Sequence, residues 1–514
     1  MTASEQKIVP FSSARDVFSA LRRDGKRIVQ CHGTFDLVHP GHIYHIEQAR
    51  ALGDVLVVTI TGEKFVNKGP GRPYFNDALR ARSLAALSAV DYVTVVPHPT
   101  AVEAIGYVRP HVYCKGHEYA DPANDVTGNI DDDIRVVREL GGEVAYVGDV
   151  VFSSTKLLNN HVDHLPQSTK SFCRDLSSSW SPTAFRDAVD GLQHLRVLLI
   201  GDVIFDRYST VEVQGLTSKA SIVSVRHRSD SLQSGGTLAI YRHLKQFTPH
   251  VTMLSILGEE EWAQAQVASH LAPADDAIVR DRRFRSVVKH RFVSPLAEGK
   301  ELVKHFSVNY LEHDPPAGPT VERLLGKVTE HIGAADLVVV ADFGHGLMQD
   351  SLRDLVQTRA SFLALNCQTN SYNHGFNIID RQYRRADAFC LDRAEMLLAV
   401  GRRDISFTSE LERLKGRLGS EYAWLTRGAE DTIGVHSGET LCSCPALEVE
   451  ATDTVGAGDA FFSIASLAAA RKYPVALATF IGQLAGAQGV RIVGNTEPIS
   501  KSRLLKFGMS LLNF

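Results

Sequence analysis

The chain has 514 residues, too many for one hydrophobic core, so the sequence predicts two or three domains. Its 55 basic and 59 acidic residues give a net charge of -4, which offers no general attraction to nucleic acid. Seven cysteines in a chain of this length form no disulfide framework, and no apolar run is long enough to cross a bilayer, so we expect a cytoplasmic protein without a membrane partner.

Residues 1–162 alternate short apolar strands with helical patterns, from "RIVQCHGTF" to "EVAYVGDV". Alternation of this kind predicts a parallel, doubly wound sheet, that is, a Rossmann-like α/β domain. Ligands of such sheets bind at the carboxyl ends of the strands. Residues of the site are therefore expected in the loops that follow the strands.

The first of these loops is "GTFDLVHPGHIYHIEQAR", which opens at Gly33. A glycine at the end of a strand lets the backbone turn tightly against a ligand, and Gly41 opens a helix whose N-terminal amides attract anions. His39 and His42 lie at the same end, where imidazole can donate to a phosphate oxygen. Zinc binding with His45 as a third ligand and plain helix-face histidines are the alternatives, and the pattern favours phosphate.

"GTFDLVHPGH" resembles the G-T-F-D-x-x-H-x-G-H signature of the nucleotidyltransferase superfamily that includes glycerol-3-phosphate cytidylyltransferase. Supporting matches follow in "NKGPGRP", "LRARSLAALSAVDYV", "YCKGHEY" and "FSSTKLL". The resemblance implies transfer of a nucleotide from a nucleoside triphosphate to a sugar or alcohol phosphate, with pyrophosphate released and Mg²⁺ assisting. It assigns catalysis to His39, His42 and Lys68, substrate binding to Arg72, and nucleotide or phosphate binding to Gly33, Thr34, Phe35, Gly41, Arg80, Lys115, Ser153, Ser154 and Thr155.

Residues 163–193 are polar and serine-rich, which predicts a linker. A second α/β pattern opens at "LRVLLIGDVIFD" and occupies residues 194–514. Within it, "GLTSKASIVSV" predicts inserted strands that form a small β lid. The length of this part suits one domain.

A second glycine turn precedes a helix in "ATDTVGAGDAFFSIASLAAA". Gly456, Ala457 and Gly458 would present consecutive amides to a migrating phosphoryl group. Asp459 could accept the proton of an acceptor hydroxyl. Taken alone, the same stretch could also be an aspartate that caps an ordinary core helix.

"DTVGAGDAFF" resembles the D-T-x-G-A-G-D signature of the ribokinase-like (PfkB) sugar kinases, and further landmarks follow in that family's order. The resemblance implies phosphorylation of a sugar by ATP, with Asp459 as the base. The sequence departs from the family at Ala239, at Asp392 and in "LALNCQTNS", which stands where an aspartate-proline segment is usual. The resemblance assigns sugar binding to Asp202, Asp206, Gly235 and Gly236, nucleotide or phosphate binding to Thr426, Gly428, Gly456, Ala457 and Gly458, and an indirect metal role to Glu395.

Together the two resemblances imply a bifunctional enzyme of nucleotide-sugar synthesis. One half would phosphorylate a sugar, a heptose at its anomeric hydroxyl, and the other would transfer a nucleotide from CTP or ATP to the sugar 1-phosphate. The heptose kinase/adenylyltransferase family follows this plan with its domains in the opposite order. An active transferase with a kinase-like sugar sensor or scaffold, or two non-catalytic binding modules, are the alternatives. Ribokinase-like enzymes commonly pair through the lid, so we expect a homodimer.

Overall fold

The computed structural model describes residues 4–66, 72–119, 129–148, 165–294, 302–311, 316, 318–370, 373–448 and 451–514. The chain forms two compact units. One unit comprises Met1–Pro182 together with Leu505–Phe514, and the other comprises Thr183–Leu504. No helix in the described ranges has both the length and the apolar character that spanning a membrane requires.

The first unit is built on a five-stranded parallel sheet. Its strands are β1 (Ile28–Gly33), β2 (Val55–Thr61), β3 (Tyr92–Val96), β4 (Val112–Gly116) and β5 (Glu143–Val147). They lie in the order β3-β2-β1-β4-β5, so strand order reverses between β1 and β4. The helices of this sheet are α1 (Phe11–Arg23), α2 (Pro40–Arg50), α3 (Asp77–Ala85), α4 (Val102–Val108) and α5 (Asn129–Glu139). Ligands of open α/β sheets bind at such a reversal, outside the carboxyl ends of the strands.

Apolar side chains cover both faces of this sheet. Strand β2 is buried along nearly its whole length, as a parallel strand between two helical layers must be. On one face, Val29 packs in a cluster with Ile46 of α2 and Leu84 of α3. On the other face, Ile28 packs with Phe18 of α1. The helices therefore hold the strand ends rigidly, and the loops at those ends carry the predicted site.

The stretch predicted as a linker contains two helices in its described part, α6 (Gln167–Ser179) and α7 (Pro182–Asp190). Thr169, Cys173 and Leu176 are buried at helical spacing in α6, and Phe185 is buried in α7. The serine-rich exposed face dominates the composition, which is why the apolar stripe did not stand out in the sequence. The change from one compact unit to the other falls at residues 182–183.

The second unit is built on an eight-stranded sheet. In spatial order its strands are β9 (Val251–Leu254), β6 (Val197–Gly201), β14 (Leu337–Asp342), β15 (Leu363–Cys367), β16 (Ala388–Asp392), β17 (Tyr422–Thr426), β18 (Asp431–His436) and β19 (Cys442–Pro445). Pairing is parallel from β9 to β17, whereas β18 and β19 are antiparallel to their neighbours. The helices are α8 (Gly236–Leu244), α9 (Glu261–Ala268), α10 (Pro319–Ile332), α11 (Asp350–Arg359), α12 (Ile379–Gln382), α13 (Arg393–Val400), α14 (Phe407–Leu418), α15 (Ala457–Ala470) and α16 (Val475–Gly489). The last helix, α17 (Lys501–Leu511), begins in this unit, and its residues from Leu505 onward belong to the first unit.

Helices α15 and α16 are apolar on almost all sides and are buried. A Cβ atom at Gly482 of α16 would lie 2.8 Å from the ring of Phe461, so the glycine lets the two helices approach closely. This packing fixes the N-terminus of α15, where the second predicted site lies.

A four-stranded sheet forms the lid of the second unit. Its strands are β7 (Val203–Leu216), β8 (Val223–Gly235), β12 (Val287–Ser294) and β13 (Val303–Tyr310), in the order β13-β12-β7-β8, and the short strands β10 (Ile256–Leu257) and β11 (Val279–Arg280) pair separately. The parallel register of β12 and β7 sets Lys289 beside Asp206 and Arg291 beside Tyr208. Because alternate residues of a strand point to opposite faces, these four side chains share one face of the lid. The topology confirms the predicted α/β class: a Rossmann-like domain precedes a second α/β domain with a small β lid.

Candidate active sites

The first glycine turn connects β1 to α2. Gly33 ends the strand, and a Cβ there would lie 3.1 Å from the ring of Phe35, so the glycine makes room for that ring. Phe35 itself adopts a left-handed backbone conformation, with φ of 45°. Gly41 lies in the first turn of α2, where main-chain amides have no partner within the helix. The turn thus brings Gly33, Thr34, Phe35 and Gly41 to one place, beside main-chain amides of a kind that attract anions.

His39 and His42 stack at this turn, with ring centroids 3.9 Å apart. His39 is the N-cap of α2, and its Nδ1 accepts a hydrogen bond from the His42 amide at 3.4 Å. A neutral His39 therefore carries its proton on Nε2, which can donate to a phosphate oxygen. The Nδ1 of His42 donates to the carbonyl of Leu37 at 3.1 Å, so protonation of its Nε2 would give a second donor. The pair is held by the backbone and suits contact with phosphate.

His45 has a different environment from the stacked pair. Its Nδ1 donates to the carbonyl of Val147 at 3.2 Å, which ties α2 to β5. This hydrogen bond gives His45 a structural role.

A buried ion pair lies beside the turn. Arg72 and Asp36 approach to 3.1 Å, and both side chains are almost wholly buried. The second oxygen of Asp36 accepts from the amide of Phe75 at 3.1 Å. Burial lowers the pKa of Arg72, while the hydrogen bond and charge of Asp36 oppose that shift. Among the described residues the Nη2 atom of Arg72 has no hydrogen-bond partner, so Arg72 is fixed by Asp36 and has one donor nitrogen to offer an anion.

The guanidinium of Arg80 is buried and bonded to the protein. It donates to the carbonyl oxygens of Thr34 at 2.6 Å and Thr61 at 2.8 Å, and it pairs with Asp77. These contacts fix the backbone of the glycine turn. Direct binding of nucleotide by Arg80, which the resemblance implies, would have to compete with three protein partners, so its contacts favour an indirect role.

Lys115 lies at the carboxyl end of β4. Its ammonium pairs with Asp133 of α5 at 3.1 Å and lies 5.3 Å from the ring centroid of Tyr113. The hydroxyl of Tyr113 donates to the same carboxylate at 3.0 Å. Because β1 and β4 are neighbours, Lys115 and the glycine turn lie on the same edge of the sheet. Lys68, Ser153, Ser154 and Thr155 lie outside the described residues.

The second glycine turn lies at the N-terminus of α15. Gly456 has φ of 85°, and a Cβ there would lie 2.4 Å from Oδ1 of Asn495, so no other residue fits without strain. Ala457 and Gly458 follow in the first turn of the helix. Their amides, like those at any helix N-terminus, point toward solvent and attract an anion.

Asp459 lies in the same helical turn. Its Oδ1 accepts a hydrogen bond from Nε2 of Gln368 at 2.6 Å. The enclosure of the carboxyl raises the pKa of Asp459 to about 6, while the amide of Gln368 and the charge of Lys289 lower it and Asp206 raises it. A carboxylate with this pKa is mostly ionised at neutral pH and basic enough to accept a proton from a hydroxyl.

The pKa of Asp459 predicts the pH dependence of any reaction in which it is the base. Only the ionised form accepts a proton, so kcat/KM should fall about tenfold per pH unit below pH 6. Replacing Gln368 by leucine removes a donor that stabilises the carboxylate, and the acid limb should move to higher pH. Both expectations are checked by sugar-dependent ATP consumption measured from pH 5 to 8. An acid limb of the pH profile at the same pH in Gln368→Leu and wild type would contradict the second.

Two aspartates lie where β6 meets the lid. Asp202 is buried, and burial together with the charge of Asp342 raises its pKa to about 7. Asp206 is buried on β7 and pairs with Arg291. Gly235 is required because a Cβ there would lie 2.2 Å from Oδ2 of Asp206. Gly236, which opens α8, has φ of 55° and would meet the carbonyl of Asp202 if it carried a Cβ.

Lys289 and Arg291 bring positive charge to this group of acids. Burial lowers the pKa of Lys289, and so does the charge of Arg291, while the charges of Asp206, Asp459 and Asp202 raise it. The sequence motifs gave no indication of these two residues. Their spacing of two positions in the strand pattern "VVKHRF" could have indicated that both side chains lie on the same face of a strand.

The segment that replaces the family's aspartate-proline forms an amide-rich corner. The side chain of Asn377 donates to Oδ1 of Asp342 at 3.2 Å, and the hydroxyl of Tyr383 donates to its Oδ2 at 2.7 Å. Asn370 donates to the carbonyl of Phe343 at 2.7 Å. The hydrogen bonds from Asn377 and Tyr383 satisfy the buried carboxylate of Asp342 at the end of β14. Gln368 extends from the same segment to Asp459.

The residues assigned to the nucleotide and metal lie at the ends of β16 and β17. Thr426 ends β17, and Gly428 follows in a left-handed conformation with φ of 61°. Glu395 forms a capping box with Asp392: the side chain of Asp392 accepts from the Glu395 amide, and Glu395 accepts from the Asp392 amide. Its other oxygen accepts from the amide of Thr369 at 3.1 Å. The departure from asparagine to Asp392 therefore keeps the cap.

Comparison with known proteins adds two family matches. Residues 31–185 match the model described as "Cytidylyltransferase-like", and residues 320–502 match "pfkB family carbohydrate kinase". The chain is 42% identical over 155 residues to "Bifunctional protein HldE" of Methylococcus capsulatus, which is 30% of this chain and 32% of that protein. It is 36% identical over 161 residues to "Bifunctional protein HldE" of Desulfatibacillum aliphaticivorans, which is 31% of this chain and 32% of that protein. These matches concern the N-terminal part, and the chain spans about a third of the length of the curated relatives.

A solved structure also overlays on this chain. It is phosphofructokinase-2 from Escherichia coli in complex with potassium, with 14% identity, coverage of 62% of this chain and 99% of that chain, and a TM-score of 0.49. At that level the likeness carries no argument about substrate.

Proposed function

Because the chain joins a cytidylyltransferase-like domain to a pfkB-family carbohydrate kinase domain, we propose that it is a bifunctional enzyme of nucleotide-sugar synthesis. One domain phosphorylates a sugar with ATP, and the other transfers a nucleotide from a nucleoside triphosphate to the sugar 1-phosphate. The observation that carries the proposal is that each domain has a glycine turn at a helix N-terminus with proton-handling side chains beside it: His39 and His42 at one, Asp459 at the other.

In the kinase domain, a sugar hydroxyl attacks the γ-phosphorus of ATP and gives its proton to Asp459, while the bond from that phosphorus to the bridging oxygen breaks and ADP leaves. The amides of Gly456, Ala457 and Gly458 hold the phosphoryl group as its charge spreads. Asp202 and Asp206 bind sugar hydroxyls beside the base. The substrate that we propose is a heptose, phosphorylated at its anomeric hydroxyl, because this product can then enter the second reaction as a sugar 1-phosphate.

In the transferase domain, a phosphate oxygen of the sugar 1-phosphate attacks the α-phosphorus of CTP or ATP, and pyrophosphate leaves. No general base is required, because the attacking oxygen is already ionised. The task of the protein is to neutralise charge at a crowded phosphorus. His39, His42 and Lys68 serve this purpose, Lys115 supports the nucleotide, and Arg72, fixed by Asp36, holds the sugar phosphate.

Both reactions require Mg²⁺, and the possible protein ligands suit an ion that binds together with the nucleotide. Among the described residues, no cluster of three or more His, Cys, Asp or Glu side chains could hold a metal. Mg²⁺ is commonly held by substrate phosphates, one or two carboxylates and water. Glu395, whose oxygens accept two main-chain amides, would act on it indirectly through water. When bound, the ion neutralises charge on the phosphate oxygens.

Mass spectrometry of products tests the whole proposal. The protein is incubated with heptoses, hexoses and mixed nucleoside triphosphates, and we expect both a sugar phosphate and a nucleotide sugar. Pyrophosphate release without ATP-dependent sugar phosphorylation would favour an active transferase with a sugar-sensing or scaffold domain. If folded protein forms no product with any substrate of the panel, the result would favour two binding modules.

We also propose that the protein is a homodimer that pairs through the lid. Leu216 and Ile222, near the tip of the hairpin of β7 and β8, are 66% and 61% exposed. Phe306 of β13 is 48% exposed and stacks on Phe292 of β12, on the face opposite Lys289. A second copy of this apolar face is the partner that best matches it.

Charge reversal at the lid tests the dimer. Replacing Leu216 and Ile222 with glutamate should weaken association by about 100-fold or more, because each copy would bury two charges instead of two apolar side chains. Sedimentation velocity across a concentration series measures this. Lys219→Glu, in the exposed turn of the same hairpin, is the control and should leave the dimer intact. A monomeric wild type would contradict the proposal.

The cysteine thiols are all buried, which fits the cytoplasmic location that we propose.

A further inference from the structure

A buried carboxylate anchors the second glycine turn. Asp453, three residues before Gly456, has a side chain with 0% exposure. It accepts hydrogen bonds from the amide of Val455 at 3.1 Å and the amide of Gly494 at 2.9 Å. A buried carboxylate is stable only when charge and hydrogen bonds compensate it. Asp453 therefore needs a cation, and its position fixes two main-chain segments.

The cation comes from the lid. The ammonium of Lys304, on β13, pairs with Asp453 at 2.9 Å. Next to it, the amide of Leu302 donates to the carbonyl of Thr452 at 3.3 Å. The start of this lid strand is thus attached to the chain that leads into the glycine turn.

A second lid strand reaches the same turn by another route. Gln233 of β8 accepts a hydrogen bond from the amide of Asn495 at 3.0 Å. Gly494 has φ of 57°, and a Cβ there would lie 2.0 Å from Oε1 of Gln233. The side chain of Asn495 in turn lies against Gly456, whose Cβ position is 2.4 Å from its Oδ1. Two lid strands therefore shape the turn through residues 453 and 494–495.

From these contacts we infer that Lys304 is a positioning residue for phosphoryl transfer, which fixes the glycine turn through Asp453 and so couples the lid to the anion site. The inference rests on the proposed kinase function. Lys304 does not touch substrate in this role. Its effect should fall on kcat, since the amides that hold the phosphoryl group must be aligned when its charge spreads.

The test compares Lys304→Met with Lys304→Arg. Methionine keeps the apolar stem and removes the charge, and kcat for sugar phosphorylation should fall at least about tenfold, with KM for sugar and ATP within about threefold of wild type. Arginine keeps the charge and should restore kcat to within about threefold. Lys327→Met, at an exposed position on α10, is the control and should behave as wild type.

Two further readouts separate positioning from loss of fold. Ammonium chloride, against sodium chloride at equal ionic strength, should raise kcat of Lys304→Ala by replacing the missing cation. Hydrogen exchange of the peptide covering residues 451–459 should quicken in Lys304→Met while the core strands stay protected. Equal kcat and unchanged exchange in Lys304→Met and wild type would overturn the role of Lys304. A wild type that phosphorylates no sugar, with its pyrophosphate release intact, would instead overturn the proposed kinase function.

Discussion

Asp459→Asn is expected to lower sugar-dependent ATP consumption by about 1000-fold, a loss within the range for removal of a general base. Asparagine has the same shape as aspartate, and its carbonyl can still accept the hydrogen bond from Gln368, so the local packing should survive. What it lacks is the ability to take a proton. Steady-state assays of ADP formation with the best sugar from the product screen measure the loss.

The transferase domain provides an internal control for this variant. Pyrophosphate release by Asp459→Asn should match the wild type, because the substitution lies in the other compact unit. Equal pyrophosphate release shows that the protein is folded and correctly quantified. Sugar phosphorylation within about threefold of wild type would mean that Asp459 is not the base.

His39→Asn and His42→Asn are expected to lower nucleotidyl transfer by about 100-fold or more each, in line with loss of a donor that stabilises transition-state charge. Asparagine is a preferred N-cap residue, so at position 39 it can replace the cap that His39 Nδ1 provides to the His42 amide. Helix α2 should therefore stay formed while the Nε2 donor is lost. Pyrophosphate release with CTP and with ATP measures the effect.

His45→Asn is the matched control on the same helix. The ring of His45 bonds to the carbonyl of Val147, so its substitution should leave nucleotidyl transfer within about threefold of wild type. A loss at position 45 as large as at positions 39 and 42 would point to a three-histidine metal site, and activity that depends on added zinc would then follow. Unchanged activity in all three variants would remove the histidines from the mechanism.

The local parts of both sites could be predicted from the sequence. Gly33 and Gly456 each precede a stretch in which the spacing of apolar residues becomes helical. Residues close together in such a stretch, such as His39 and His42 or Gly458 and Asp459, lie on the same turn of the helix wherever that helix packs. The parallel sheets follow from the same periodicity. The helices in the stretch predicted as a linker could not be recognised in this way, because the many serines on the exposed face of α6 obscure the spacing of its buried residues.

The partners of those residues could not be predicted, because each comes from a distant part of the chain. Gln368 meets Asp459 across 91 positions, and Lys304 meets Asp453 across 149. No short-range pattern relates such pairs, and only the packing of helices and lid strands on the sheet brings them within hydrogen-bond distance.

By itself, then, the sequence determined the two α/β domains, the two glycine turns and the acid or histidines within one helical turn of each. These are consequences of local geometry, in which residue spacing along a helix or strand sets direction. The tertiary structure alone decided the charges around them: Asp36 beside Arg72, the protein partners that occupy Arg80, and the lysines that face Asp459 and Asp453. The reason is physical, since pKa and hydrogen bonding depend on distance and burial, which only the folded chain sets.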